Sequence, residues 1–175
     1  MKKILTLALS VGMVMAMATA CGSEGDNKGG DTTPTKAAQE SNKKQESKYY
    51  FEHNGAKVRM GDNGADAIAA LGKENSVFTA KSCAFEGEDN TYIYDDFQVT
   101  LSTVDGEEVV TSVSVTSDMI SITEGVKIGS TEDEVLSAMS CEAKADGNYK
   151  FSDAGTALAI IVKDGNVASI TYSYE

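Results

Sequence analysis

Apolar and polar positions alternate one by one along several stretches of the chain: Phe97, Val99 and Leu101 against Gln98, Thr100 and Ser102; Val113 and Val115 against Ser112 and Ser114; Ile170 and Tyr172 against Ser169, Thr171 and Ser173. A period of two sends successive side chains to opposite faces of a strand. These runs therefore predict strands with one apolar and one hydroxyl-rich face. Asp105-Gly106 and Asp164-Gly165 sit between such runs, and a pair tolerant of positive φ makes a tight antiparallel hairpin there. His53-Asn54-Gly55 reads as the foot of another hairpin.

Two stretches change period. Ala67, Ile68 and Leu71, and again Val135, Leu136 and Met139, fall on one stripe of a short amphipathic helix. Thr131 and Glu134 stand in a capping-box relation at the start of the second helix, Asp62 or Asn63 plays that part for the first, and Gly72 ends it. The two regions can be overlaid. Lys57 to Gly61 matches Val126 to Gly129, Ser82-Cys83 lies near Ser140-Cys141, and Asp105-Gly106 falls on Asp164-Gly165. The expectation is an α+β domain, a tandem repeat of a short helix followed by an antiparallel β meander. Repeat one covers about residues 48–118 and repeat two about 119–175, with the helices packed on one face of the sheet.

A glycine, a polar cap, a short helix and a meander ending in Asp-Gly and an alternating strand, twice over, resembles the tandem fold of beta-lactamase-inhibitor-protein-like and small outer-membrane lipoprotein A-like proteins. Ser82 to Asp89 with Tyr92-Ile93-Tyr94, and then Thr123 to Gly129, is similar to a group of lipoproteins of unassigned function from Gram-positive anaerobes. The resemblance spans about residues 48–175. It implies a scaffold that binds other proteins through its sheet or loops, and it implies no enzyme and no particular contact residue.

The N-terminus fixes a location. Lys2 and Lys3, an apolar run from Ile4, and Ala18-Thr19-Ala20 before Cys21 resemble a bacterial lipoprotein signal over residues 1–20. Cleavage leaves Cys21 to carry the lipid, which anchors the chain to the cell membrane on its extracytoplasmic face. Residues 21–47 are polar, rich in Gly, Ser, Thr and Lys, and lack any apolar period, as expected of a disordered spacer.

Charge narrows the partners. Removing residues 1–20 takes away two lysines and no acid, so 27 acids remain against 13 of the original 15 bases and the net charge moves from −12 to −14. That excludes a nucleic-acid footprint and leaves membrane holding to the lipid. A partner class follows from the resemblance alone: a protein of unknown identity.

Little in the chain carries chemistry. His53 is the only histidine, and an exposed turn residue is the simplest reading of it. Ser41-Asn42-Lys43-Lys44 has a Ser-x-x-Lys spacing, but in the spacer nothing holds the lysine against the serine. Carboxylates at Glu86, Glu88 and Asp89, at Asp95 and Asp96, and at Glu132 to Glu134 lack an EF-hand spacing, so no metal and no cofactor is expected. With Cys21 acylated, Cys83 and Cys141 are expected to form a disulfide, worth about 4 kcal/mol by chain entropy; two buried free thiols are the alternative. Tyr92 and Tyr94 share one side of one strand, and Tyr172 and Tyr174 one side of another. They either complete the core or form a candidate binding face. The functional expectation is a non-enzymatic protein-binding or scaffolding lipoprotein; the alternatives are an inhibitor of a secreted hydrolase and a small-molecule or glycan sensor.

Overall fold

The computed structural model describes residues 46–175; the signal, Cys21, the Ser41 to Lys44 motif and almost all of the spacer lie outside them. The chain opens with a hairpin of β1 (Phe51–His53) and β2 (Ala56–Val58), turned at Asn54-Gly55, both with positive φ. Helix α1 (Gly64–Leu71) follows, then β3 (Ser76–Lys81), β4 (Glu86–Ile93), β5 (Phe97–Val104) and β6 (Glu107–Val115). Helix α2 (Glu132–Met139) leads into β7 (Asn148–Asp153), β8 (Thr156–Lys163) and β9 (Asn166–Tyr174). Strands β3 to β9 form one antiparallel sheet in the order β3-β4-β5-β6-β9-β8-β7.

The helix ends form as their side chains dictate. Asn63 caps α1 by accepting the Asp66 N–H, while the Asp62 carboxylate turns back to the Arg59 N–H. Thr131 and Glu134 close a reciprocal capping box on α2, and the Gly72 N–H bonds the Ile68 carbonyl at the end of α1. The turns at Asp105-Gly106 and Asp164-Gly165 take the left-handed conformations that their residue types permit.

The predicted α+β tandem repeat is not what these elements build. Among the described residues the architecture is mostly β, with 49% strand and 12% helix, and no repeated helix-plus-meander unit is evident. Each helix has only eight residues, about two turns, too little to form a layer equal to a sheet of seven strands. Four strands follow α1 and three follow α2, and the β6–β9 pairing fuses them into one sheet. Ahead of α1 the chain makes a two-stranded hairpin; ahead of α2 it makes a single bridge, Ser121 to Lys127.

The core lies on one face of this sheet. A single row of directly opposed residues crosses all seven strands: Val77, Tyr92, Val99, Val113, Tyr172, Leu158 and Phe151. Phe51 from the hairpin packs on Phe97 at 4.8 Å between ring centres, Ala67 of α1 and Val135 of α2 join the same cluster, and Gly64 lies against Leu101. Two residues assigned to the spacer by sequence take part in the fold: Ser47 is buried and Glu46 pairs with Arg59 at 3.2 Å.

Candidate functional site

Of the two readings the sequence leaves for the four tyrosines, core or binding face, the structure favours the first: all four belong to the core side of the sheet. Tyr172 is 0% exposed and Tyr94 9% exposed, while Tyr92 and Tyr174 are partly buried against the same cluster. Tyr94, one residue beyond β4, stacks on Phe97 at 4.5 Å and donates its hydroxyl to the Gly72 carbonyl. Phe85 meets Tyr174 edge-on at 6.5 Å. Burial pushes the Tyr172 phenol far above its ordinary value, with Glu124 and Tyr50 adding smaller contributions. Burial first, then Glu108 and Glu74, raises Tyr92; burial and Glu74 raise Tyr94. The physical reason is parity. Each pair sits in phase with the most apolar positions of its strand, so the rings go where Val99 and Leu158 go.

The opposite face is the surface left over. Two further rows cross all seven strands on it: Phe78, Thr91, Thr100, Ser112, Ser173, Ala157 and Ser152; and Ser76, Ile93, Gln98, Ser114, Thr171, Ala159 and Lys150. In the middle of the sheet nearly every member is Ser, Thr, Gln or Ala. Most of these side chains are partly exposed, and the hydroxyls of Thr91 and Thr100 share a 3.1 Å hydrogen bond. The alternation in the sequence predicts this face, since the hydroxyls fall on every second position.

One irregularity re-aims that face. Thr100 pairs with Ser112 but Leu101 pairs with Val110, so Thr111 is an extra residue in β6, a β-bulge. Its hydroxyl is 2.7 Å from that of Ser102, which in turn donates to Asp89 at 2.5 Å. These buried polar groups thereby satisfy one another, and Asp89 is drawn onto the sheet instead of standing in a solvated loop.

Other residues with chemical potential are occupied structurally. His53 lies parallel to Phe51 at 6.4 Å and tilted against Phe97 at 4.9 Å, and its Nε2 lies 2.9 Å from the Asn54 side-chain nitrogen. It is half-buried, where the sequence suggested an exposed turn residue. A cleft of about 230 Å³ beside it is lined by Lys73, Tyr94, Asp95 and Asp96, but Asn75 donates to Asp95 and Ser117 to Asp96. Glu132 accepts the Tyr149 hydroxyl at 2.5 Å, a bond that holds the phenol above its ordinary range. Among the described residues no group of three or more His, Cys, Asp or Glu side chains is placed to hold a metal.

The expected Cys83–Cys141 disulfide is likewise not formed; both thiols are free, Cys83 exposed and Cys141 partly buried. Cys83 lies in the turn between β3 and β4, at one edge of the sheet, and Cys141 follows α2 near Tyr149 of β7, at the other edge. Six strand spacings separate those edges, on the order of 28 Å, whereas a disulfide needs Cα atoms within about 7 Å. Cys21 lies outside the described residues.

No family model and no curated protein sequence matches the chain. Among solved structures it is similar to a cysteine-rich secretory protein from Staphylococcus aureus, with 14% identity, a TM-score of 0.39, and coverage of 71% of this chain and 47% of that one. The chain thus spans about half the length of that protein, and a likeness this distant carries no argument about function.

Proposed function

We propose that this protein is a lipoprotein held on the extracytoplasmic side of the cell membrane through Cys21, and that its domain is a non-enzymatic protein-binding module presenting the hydroxyl-rich sheet face. The observation that carries this reading is the pair of rows crossing all seven strands on the face opposite the core, whose members are mostly Ser, Thr and Ala in the middle of the sheet. Small hydroxyl side chains leave a surface with adaptable hydrogen bonding and little side-chain entropy to lose on contact. His53, the tyrosines and the carboxylates of Asp89, Asp95, Asp96 and Glu132 are engaged in structural contacts, which supports a binding module over a hydrolase.

In-cell crosslinking of the acylated chain followed by mass spectrometry tests the reading, with Cys21→Ala as a mislocalised control. One dominant captured protein, lost in the double variant Thr100→Lys with Ser114→Lys, is the expected result. Capture that persists unchanged in that variant would remove the sheet face from the proposal.

A further inference from the structure

The two edges of the sheet are built differently. At β7 the segment from Ser47 to Tyr49 closes over the strand: Lys48 N–H donates to Asp153 at 2.8 Å, and Tyr49 packs on Phe151 at 6.3 Å. Lys150 stands in the strand and pairs with Glu175 at 2.6 Å. A charged, covered edge of this kind resists pairing with a further strand. At β3 none of the described residues closes over the strand, and its one charged residue, Lys81, stands at its end without an ion pair. Strand β3 ends the sheet on the other side, all six of its residues are exposed, and Val77 and Phe78 are 45% and 61% exposed. Alternate residues of such a strand turn their N–H and C=O groups outward, a template for a further strand.

Electrostatics selects what can add there. Ala80 lies opposite Asp89 and Lys81 opposite Glu88, and Glu86 begins the same neighbouring strand. The ion pairs among the described residues are Lys57–Glu52, Arg59–Glu46 and Lys150–Glu175, so none is made to Glu86, Glu88 or Asp89. Lys81, the one cation of β3, lies opposite Glu88 and, by the alternation of the strand, on the other face from Ala80 and Asp89. Because Ala80 is only a methyl group, a lysine or arginine placed opposite it can lie over that methyl towards Asp89. The distance is two strand spacings, roughly 9.5 Å between Cα atoms, within the combined reach of the two side chains.

We propose that β3 is a docking edge for an extended, cationic segment of a partner protein, which joins the sheet with a basic residue opposite Ala80 and apolar residues opposite Phe78 and Val77. In the antiparallel sense the segment reads basic, any residue, apolar, apolar. A second copy of this chain is the poorer occupant. In the registers that pair most of the strand it offers only Ser76, Val77 or Phe78 opposite Ala80, and it brings another strongly acidic domain to the same edge. This inference rests on the reading of the domain as a protein-binding module and supplies the chemistry of the partner.

The test is fluorescence anisotropy of a labelled, capped peptide, Thr-Lys-Thr-Ile-Val-Thr, titrated with the acylated full chain in neutral detergent. Saturable binding is expected, strengthening as salt falls and weakening at least about tenfold on changing the peptide lysine to glutamate, and in the chain variants Phe78→Lys and Asp89→Asn. N-methylation of alternate peptide amides abolishes binding, because the strand-forming donors are gone. Equal binding of the methylated or the glutamate peptide, or no binding, overturns the proposal. A dimer in sedimentation that Phe78→Lys dissolves and the peptide does not displace also overturns it, assigning the edge to a second copy. Thr100→Lys with Ser114→Lys is expected to leave peptide binding unchanged. A cellular partner that this double variant loses and Phe78→Lys retains would leave the binding-module reading standing while the edge proposal fails.

Discussion

Tyr92 and Tyr172 occupy the same cross-strand row, three strands apart, joined through Val99 and Val113, yet one ring is partly exposed and the other is fully buried. The row passes from the uncovered β3 edge to the middle of the sheet, where the β1–β2 hairpin lies over it and Phe51 meets Tyr172 edge-on at 6.4 Å. Burial of a tyrosine in this fold is thus decided by its place along the row and by what packs above it.

Tyr172 shows what that burial costs. Its hydroxyl is buried and has no hydrogen-bond partner among the described residues. Tyr172→Phe is therefore expected to be at least as stable as the parent, gaining up to about 1 kcal/mol, because an unsatisfied buried hydroxyl carries a desolvation penalty. Tyr172→Ala is expected to lose about 3 to 5 kcal/mol by opening a cavity. Urea unfolding midpoints of the two variants measure both.

The same phenol sets a limit at high pH. Its native pKa is raised above the unfolded value near 10, so its contribution is whole below that value and is lost as pH rises through the native one. Stability of the parent is expected to fall from about pH 9 upward, with a shallower fall in Tyr172→Phe. Urea unfolding repeated across that range checks the difference in slope.

At the start of α2 the sign is reversed. The Thr131 backbone N–H holds the Glu134 carboxyl below its ordinary range. The associated stability is present above the unfolded carboxylate range and is lost as pH falls through the native pKa. Thr131→Ala is expected to cost about 0.5 to 2 kcal/mol through loss of the cap. Glu134→Gln retains an acceptor and is expected to flatten the acid limb below about pH 5, as followed by circular dichroism.

Two glycines are expected to resist substitution for different reasons. A Cβ on Gly64 meets Leu101 Cδ1 at 2.7 Å and the Glu108 carbonyl oxygen at 3.1 Å. Gly64→Ala is expected to cost about 1 to 3 kcal/mol, although alanine is the better helix former. Gly147 has φ +64°, and a Cβ there runs into the Val162 carbonyl, whose own N–H bonds the Gly147 oxygen at 2.8 Å. Gly147→Ala combines backbone strain with that collision and is expected to be the more damaging, by thermal unfolding of both variants.

The thiols give a direct chemical check. With both cysteines free, the native protein is expected to react with a thiol reagent at Cys83 at once and at Cys141 more slowly, as read by peptide mass spectrometry. Cys83→Ser is expected to leave the unfolding midpoint unchanged, since the thiol is exposed and holds nothing together. A large loss in that variant, or native protein that reacts only after reduction, would restore the disulfide.

Local chemistry by itself determined strands β5, β6 and β9, the turns and the helix ends. Asp105-Gly106 and Asp164-Gly165 turn because those residues accept positive φ, Thr131 and Glu134 cap because their side chains reach the same orphan N–H groups, and alternation put the hydroxyls of Thr100, Ser112 and Ser114 on one face. All of these are decided within a few residues of chain. Tertiary structure decided the rest. Alternation shows that Tyr92 and Tyr94, or Tyr172 and Tyr174, share a side, but only the packing of Phe51 and the helices shows that this side is the core. Cysteine count and compartment favour a disulfide, but strand order sets Cys83 and Cys141 towards opposite edges. Two similar helix motifs suggest two equal units, yet the β6–β9 pairing, a contact between distant segments, merges four strands and three into one sheet. The guarded β7 edge and the open β3 edge arise in the same way. Each depends on which residues far away in sequence come to cover it, and no local period records that.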